Sequence, residues 1–146
     1  MYKKTFIFLV IFIITSILVG CQYYFTESEF QITSLSFNSD PIEKEDEIVA
    51  YDYTLSAEIK SMGQGSNIKY YIESEFNDGS GNYSWKHNFA SGPIYIETKS
   101  SYTVDYKINN VRFPRTVTSF KITLYKIKDG KEYFVRQAIC GNPDNV

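Results

Sequence analysis

Scarcity sets the first bounds on this chain: one histidine, one tryptophan, two cysteines and four prolines in 146 residues. A single imidazole, His87, cannot supply a metal site that needs two histidines from one chain. Cys140 and His87 are the one pairing that offers a thiol nucleophile with a base, and the residues around each carry no cysteine-enzyme pattern. The run "GSG" at 79–81 lacks the nucleophile elbow of serine hydrolases. No glycine-rich loop followed by a helix is present to cradle phosphate. The formal charge of −2 gives no electrostatic footprint for nucleic acid. No catalytic residue, resident metal or cofactor is therefore expected. Helical periodicity is missing too, because no segment after residue 21 repeats its apolar residues every 3.6 positions.

What the chain does have is alternation. In "IVAYDYTLSAEIK" at 48–60, Val49, Tyr51, Tyr53, Leu55, Ala57 and Ile59 fall on one face and Asp52, Thr54, Ser56, Glu58 and Lys60 on the other, the pattern of a half-buried strand. The same period runs through Ile68, Tyr70, Ile72 and Phe76, then Tyr83, Trp85, His87 and Phe89, then Ile94 and Ile96. It continues through Tyr102, Val104, Tyr106 and Ile108, Phe120, Ile122 and Leu124, and Tyr133, Val135 and Ile139. An earlier run alternates through Phe30 and Ile32 and changes phase at Leu35 and Phe37; a β-bulge would return both pairs to the core. Pro41, Pro93, Pro114 and Pro143 are read as lying outside strand interiors. "NDGSGN" at 77–82 predicts a hairpin loop, and "KDGK" at 128–131 a tight turn with positive φ at Asp129 and Gly130. Seven or eight antiparallel strands with turns every 8 to 12 residues predict an all-β sandwich, with a small barrel as the other closed solution.

The first twenty residues read differently. Lys3 and Lys4 form a basic tip, followed by an apolar stretch from Phe6 to Val19 and the small residue Gly20, the order of a secretory signal. Fourteen residues fall short of the ~20 needed for a permanent membrane-spanning helix. Removal of residues 1–20 is expected. Leu18, Val19, Gly20 and Cys21 resemble the lipobox of bacterial lipoproteins. The resemblance implies attachment of diacylglycerol to the Cys21 sulfur and cleavage just before it. Each buried methylene contributes ~0.8 kcal/mol, so two or three acyl chains on one residue hold a protein at a bilayer where one chain does not.

The organisation implied is a signal peptide at 1–20, a lipidated N-terminus and short tether at 21–28, and one sandwich domain at 29–146. Seven tether residues span at most about 25 Å, which keeps the domain near the membrane, with Tyr23, Tyr24 and Phe25 either at headgroup level or opening the first strand. Gln22 differs from the aspartate that holds some lipoproteins in the inner membrane, pointing to the outer membrane or cell surface. Acylation of Cys21 leaves no second thiol for an internal disulfide, so Cys140 is expected to be buried as a small hydrophobe or to bridge two molecules. Charge is uneven: residues 22–98 carry four basic and thirteen acidic side chains, residues 99–146 nine basic and four acidic. Strands from the two halves lying side by side would neutralise this, with Glu73 and Glu75 facing Lys121 or Lys126.

Residues 101–133, "SYTVDYKINNVRFPRTVTSFKITLYKIKDGKEY", look like the end of a fibronectin type III or immunoglobulin-like domain, where a strand passes through a proline-containing corner into the final hairpin. Loops carry specificity in such scaffolds, which directs attention to "SMGQGS" at 61–66 and to Arg112, Phe113 and Arg115 in the corner as partner-binding residues. Tyr83 and Trp85, with Phe89, would stack on sugar if their face were exposed, and fill the core if it were not. The acidic run "DPIEKEDE" at 40–47 has oxygen ligands but lacks the spacing and glycine of a calcium loop, and reads as solvated charge between two strands. The expected function is a non-enzymatic envelope protein, anchored to the lipid bilayer through Cys21 and binding a protein partner. A surface carbohydrate-binding module acting on glycan is the alternative.

Overall fold

The computed structural model describes residues 21–24 and 29–142; the signal and lipobox residues before Cys21 lie outside it. Nine strands follow in chain order: β1 Cys21–Tyr24, β2 Phe30–Lys44, β3 Glu47–Ser61, β4 Ser66–Asn77, β5 Tyr83–Ala90, β6 Ile94–Ile96, β7 Ser101–Arg112, β8 Thr116–Lys128 and β9 Lys131–Gly141. All pairings are antiparallel, and no helix occurs among the described residues. One sheet runs β1-β9-β8-β4-β5, with the short β6 continuing along the same edge of β4, and the other runs β2-β3-β7. Lettered in chain order from β2, the sheets read A-B-E and G-F-C-C′, the strand order of an immunoglobulin-like sandwich.

Every strand that alternation predicts from residue 29 onward is present. The phase change in β2 is a bulge between Ile32 and Ser34; it leaves Phe30, Ile32 and Phe37 buried and Leu35 packed against the core. Asp129 and Gly130 both have positive φ in the β8–β9 turn. The two charge-biased halves interleave as well, since Lys121 on β8 lies opposite Glu73 on β4 and bridges it at 2.8 Å. Glu75 instead accepts hydrogen bonds from Thr118 and Ser119, and Lys126 pairs with Glu29 at 2.6 Å.

Four local readings are corrected. Pro41 lies within β2, tolerated because β2 is an edge strand paired only to β3. Val49 is 39 % exposed and Ala50 buried instead, because a bulge opposite Ile42 and Glu43 leaves Val49 as the extra residue at the start of β3. On β9, a shift opposite Leu124/Tyr125 turns Ala138 and Cys140 inward and leaves Tyr133 exposed. Finally, Cys140 is buried and disulfide-bonded, where no internal disulfide was expected. The β1–β9 ladder sets Cys21, the chain's other cysteine, directly opposite it, and facing residues of antiparallel strands have Cα separations within disulfide range.

Between the sheets runs a chain of ring contacts: Phe37 to Phe120 at 4.8 Å, Phe120 to Tyr106 at 6.3 Å, Tyr106 to Phe89 at 5.8 Å, Phe89 to Tyr70 at 5.8 Å and Tyr70 to Tyr102 at 6.5 Å. Burial, with a smaller push from Tyr102, raises the Tyr70 hydroxyl to about 12; burial raises Tyr53 and Tyr106 as well. In the unfolded chain these hydroxyls titrate near pH ~10. The folded protein then holds protons that the unfolded chain releases, so this stability is fully present below pH ~10 and falls as pH rises toward 12. The urea midpoint is expected to decline over that window, and Tyr70→Phe to flatten the decline; a profile unchanged by the substitution would contradict the assignment to Tyr70.

Candidate functional site

The aromatic residues of β5 divide between two faces. Trp85 lies opposite Glu75 and Tyr83 opposite Asn77, positions that face outward on β4, whereas Phe89 lies opposite the buried Ile72. A bulge between Ile72 and Glu73 leaves Asn88 as the extra residue and shifts the phase. Uninterrupted alternation had placed Tyr83, Trp85, His87 and Phe89 on one face; the structure brings the first three together and sends Phe89 toward Tyr70 and Tyr106. Tyr83 is 59 % and Trp85 39 % exposed, so neither fills the core. One face of the Trp85 indole is covered by the Lys121 ammonium, 4.6 Å from the ring centre.

Around these residues the outer face of the larger sheet carries a row of rings crossing four strands. His87 on β5 lies 5.3 Å from Tyr71 on β4, Tyr71 is 5.5 Å from Tyr125 on β8, and Tyr125 is 6.1 Å from Phe134 on β9. Three interstrand spacings make the row roughly 14 Å long. Its polar rim is ordered: the Tyr71 hydroxyl donates to both Glu132 carboxylate oxygens at 2.9 and 3.0 Å, and Lys69 bridges Glu132 at 2.9 Å. Lys69 first, then Tyr71, holds the Glu132 carboxyl below the usual range, and hydrogen bonding to Tyr71 and Glu132 raises Lys69. Tyr71, Tyr125 and Phe134 escape the sequence pattern because they sit in the polar phase of their strands, while His87 shares the phase of Trp85. The signal of the row was nevertheless there, in Tyr71 beside Tyr70 and in Tyr125 one step out of phase with Phe120, Ile122 and Leu124.

The corner between β7 and β8 separates the residues singled out there. Phe113, 50 % exposed, packs edge-on against Tyr51 at 5.6 Å and helps line a cavity of about 370 Å³ with Ser39, Pro41, Tyr53, Thr116 and Asn142. Arg112 and Arg115 line a different opening, and the Arg115 guanidinium stacks over Phe76 at 4.0 Å. The β4–β5 loop is seated on this corner. Gly79 has φ +90° and a Cβ there would come 2.5 Å from the Pro114 side chain, so only glycine fits both the conformation and the contact. Segment 61–66 lies at the other end of the sandwich, because Ser61 follows Lys60, which pairs with Ser101, while Arg112 pairs with Ala50. Ten residues of strand, roughly 34 Å, separate the two loops, which therefore do not form one surface.

The remaining candidates are kept apart. Cys140 faces the core on β9, and His87 faces solvent on β5, three strands away in the sheet. The acidic run is mostly strand, with Glu45 and Asp46 forming a two-residue turn at φ 53° and 63°. Among the described residues, no group of three or more His, Cys, Asp or Glu side chains is placed to hold a metal ion. Trp85 is the sole tryptophan, so its environment is read directly: emission at long wavelength, quenched by iodide or acrylamide, is expected. Emission at short wavelength protected from both quenchers would contradict the outward placement.

No family model matches the chain, and no curated protein matches it. Solved structures that match the chain include two with low overall similarity. Northeast Structural Genomics Consortium target SoR45 is 10 % identical with a TM-score of 0.43, over 81 % of this chain and 90 % of that one. A protein from Archaeoglobus fulgidus is 8 % identical with a TM-score of 0.38, over 77 % of this chain and 98 % of that one. At those scores the likeness carries no argument about activity or ligand.

Proposed function

We propose that this protein is a lipid-anchored bacterial envelope protein, held at the outer membrane or cell surface through Cys21, whose β-sandwich binds a protein partner without catalysing a reaction. The anchor rests on the residues Leu18, Val19, Gly20 and Cys21 behind a basic and apolar leader. The binding role rests on one structural observation, the outer-face row of His87, Tyr71, Tyr125 and Phe134 across the larger sheet, exposed at His87 and Phe134 and half-buried at Tyr71 and Tyr125. Rigid aromatic side chains presented with charged neighbours supply much of the energy of protein interfaces. A second reading, glycan binding, is favoured by Tyr83 and Trp85 standing exposed on that same face, where an apolar ring with a polar edge matches a sugar.

The Cys21 sulfur bears directly on the anchor, since a sulfur in a diacylglyceryl thioether cannot also close a disulfide with Cys140. Mass spectrometry of the protein from intact cells, before and after reduction, separates the two states. The anchored protein begins at residue 21 and carries acyl mass there, and Cys21→Ser accumulates as an uncut precursor that takes up no labelled palmitate. Palmitate labelling of that variant, or a mature chain bearing only a reducible bond, rejects the anchor. For the binding role, crosslinking in cells to one protein, lost on Tyr71→Ala with Phe134→Ala, is the expected result. A glycan array positive only while Tyr83 and Trp85 are intact would move the assignment to the second reading.

A further inference from the structure

A separate opening lies on the side of the sandwich, between β5 at the edge of one sheet and β7 at the edge of the other. It has a volume of about 400 Å³ and is lined by Lys86, Arg112 and Arg115 together with Asn88, Asn109 and Asn110, over an apolar floor that includes Phe76 and Ile108. None of its lining residues is acidic. The ion pairs of Lys69 with Glu132, Lys121 with Glu73 and Lys126 with Glu29 involve none of the three cations of the cleft. Three like charges are thus gathered around one concavity, outnumbering the Asp52 carboxylate that accepts from the N–H of the lining residue Asn110, an arrangement that concentrates anions.

Two bulges build it. The extra residue in β5 turns Asn88 inward, where its amide donates to Ser74 Oγ, and Lys86, two residues earlier, lies opposite that same serine. The irregularity opposite Asp52 makes room for Asn109 and Asn110; Asn110 has φ 55° and its N–H donates to Asp52 Oδ1 at 2.8 Å. Arg115 is fixed by its stacking on Phe76 and by the turn in which its N–H donates to the Arg112 carbonyl at 3.1 Å.

We infer that this cleft is a binding site for an acidic sugar, a ring bearing a phosphate or carboxylate group. The guanidinium groups of Arg112 and Arg115 and the Lys86 ammonium supply donors for the oxyanion. A bare anion needs donors only, whereas asparagine amides present acceptors beside their donors; those acceptors pair with sugar hydroxyls. The opening is a shallow concavity whose volume of about 400 Å³ falls within the ~300–1,000 Å³ range of small-ligand sites. The assignment is independent of the anchor and of the outer aromatic face, and it gives Arg112 and Arg115 a role distinct from that of Phe113.

The test is an amide NMR titration of the purified protein with glucose 6-phosphate, glucose and inorganic phosphate. Saturable binding of glucose 6-phosphate that shifts the Asn88, Asn109 and Asn110 signals and weakens with added salt is expected, with inorganic phosphate weaker and glucose silent. Lys86→Gln combined with Arg112→Gln, both exposed positions, should weaken it about tenfold or more with signal dispersion preserved, while Lys128→Gln on the β8–β9 hairpin leaves it unchanged. No saturable binding, equal affinity for inorganic phosphate and glucose 6-phosphate, or an unaffected double variant would each overturn the assignment.

Discussion

Ring-to-ring contact across the interior is the interaction on which this sandwich depends. Phe37 on one sheet meets Phe120 on the other, and Tyr106 links Phe120 to Phe89, so rings from both sheets interlock along the core. Aromatic pairs at these separations contribute about 0.5–1.5 kcal/mol each beyond the area they bury. Aliphatic side chains fill the spaces around them, with Leu55, Ile59, Ile68, Ile72, Ile122 and Leu124 fully buried. A composition rich in Tyr and Phe is therefore explained in part by the core. The surplus lies outside it.

Where the surplus goes is decided by bulges. A strand shifted by one residue exchanges its two faces, and in this protein single extra residues in β2, β5, β7 and β9 do so at defined points. The bulge at Asn88 turns Phe89, itself 40 % exposed at the sheet edge, toward Tyr70 and Tyr106, and leaves Trp85, His87 and Tyr83 on the opposite, outer face. That same residue helps form the wall of the cationic cleft. Fold and surface chemistry share one cause here: the irregularities that let rings reach the core also create the row of outer-face rings on one side and the basic opening on another.

Much of this was legible in the residues. Period two located the strands, the phase change near Leu35 announced its bulge, and the Asp129-Gly130 pair gave its turn. The bulge in β5 left no such trace, because Trp85, His87 and Phe89 alternate without a break and a polar residue at 88 suits either register. Partner strands, not local sequence, determine the choice. Pro41 misled for a related reason: whether a strand lies at an edge is a property of the sheet. The cationic cleft joins Lys86 to Arg112 and Arg115, twenty-six and twenty-nine positions away, a juxtaposition that exists only once two sheets are stacked. The pairing at Cys140 was hidden because the reading of Cys21 as a lipid attachment point removed it from consideration.

The account stands on the division of β5 between two faces, and nuclear Overhauser contacts report it most directly. Phe89 ring protons should show contacts to the Tyr70 and Tyr106 rings, and the Trp85 indole to the Lys121 methylenes, with none between Phe89 and Lys121. Contacts from Phe89 to Lys121, or from Trp85 to Tyr106, would mean that β5 pairs in unbroken register and that the faces have been assigned wrongly.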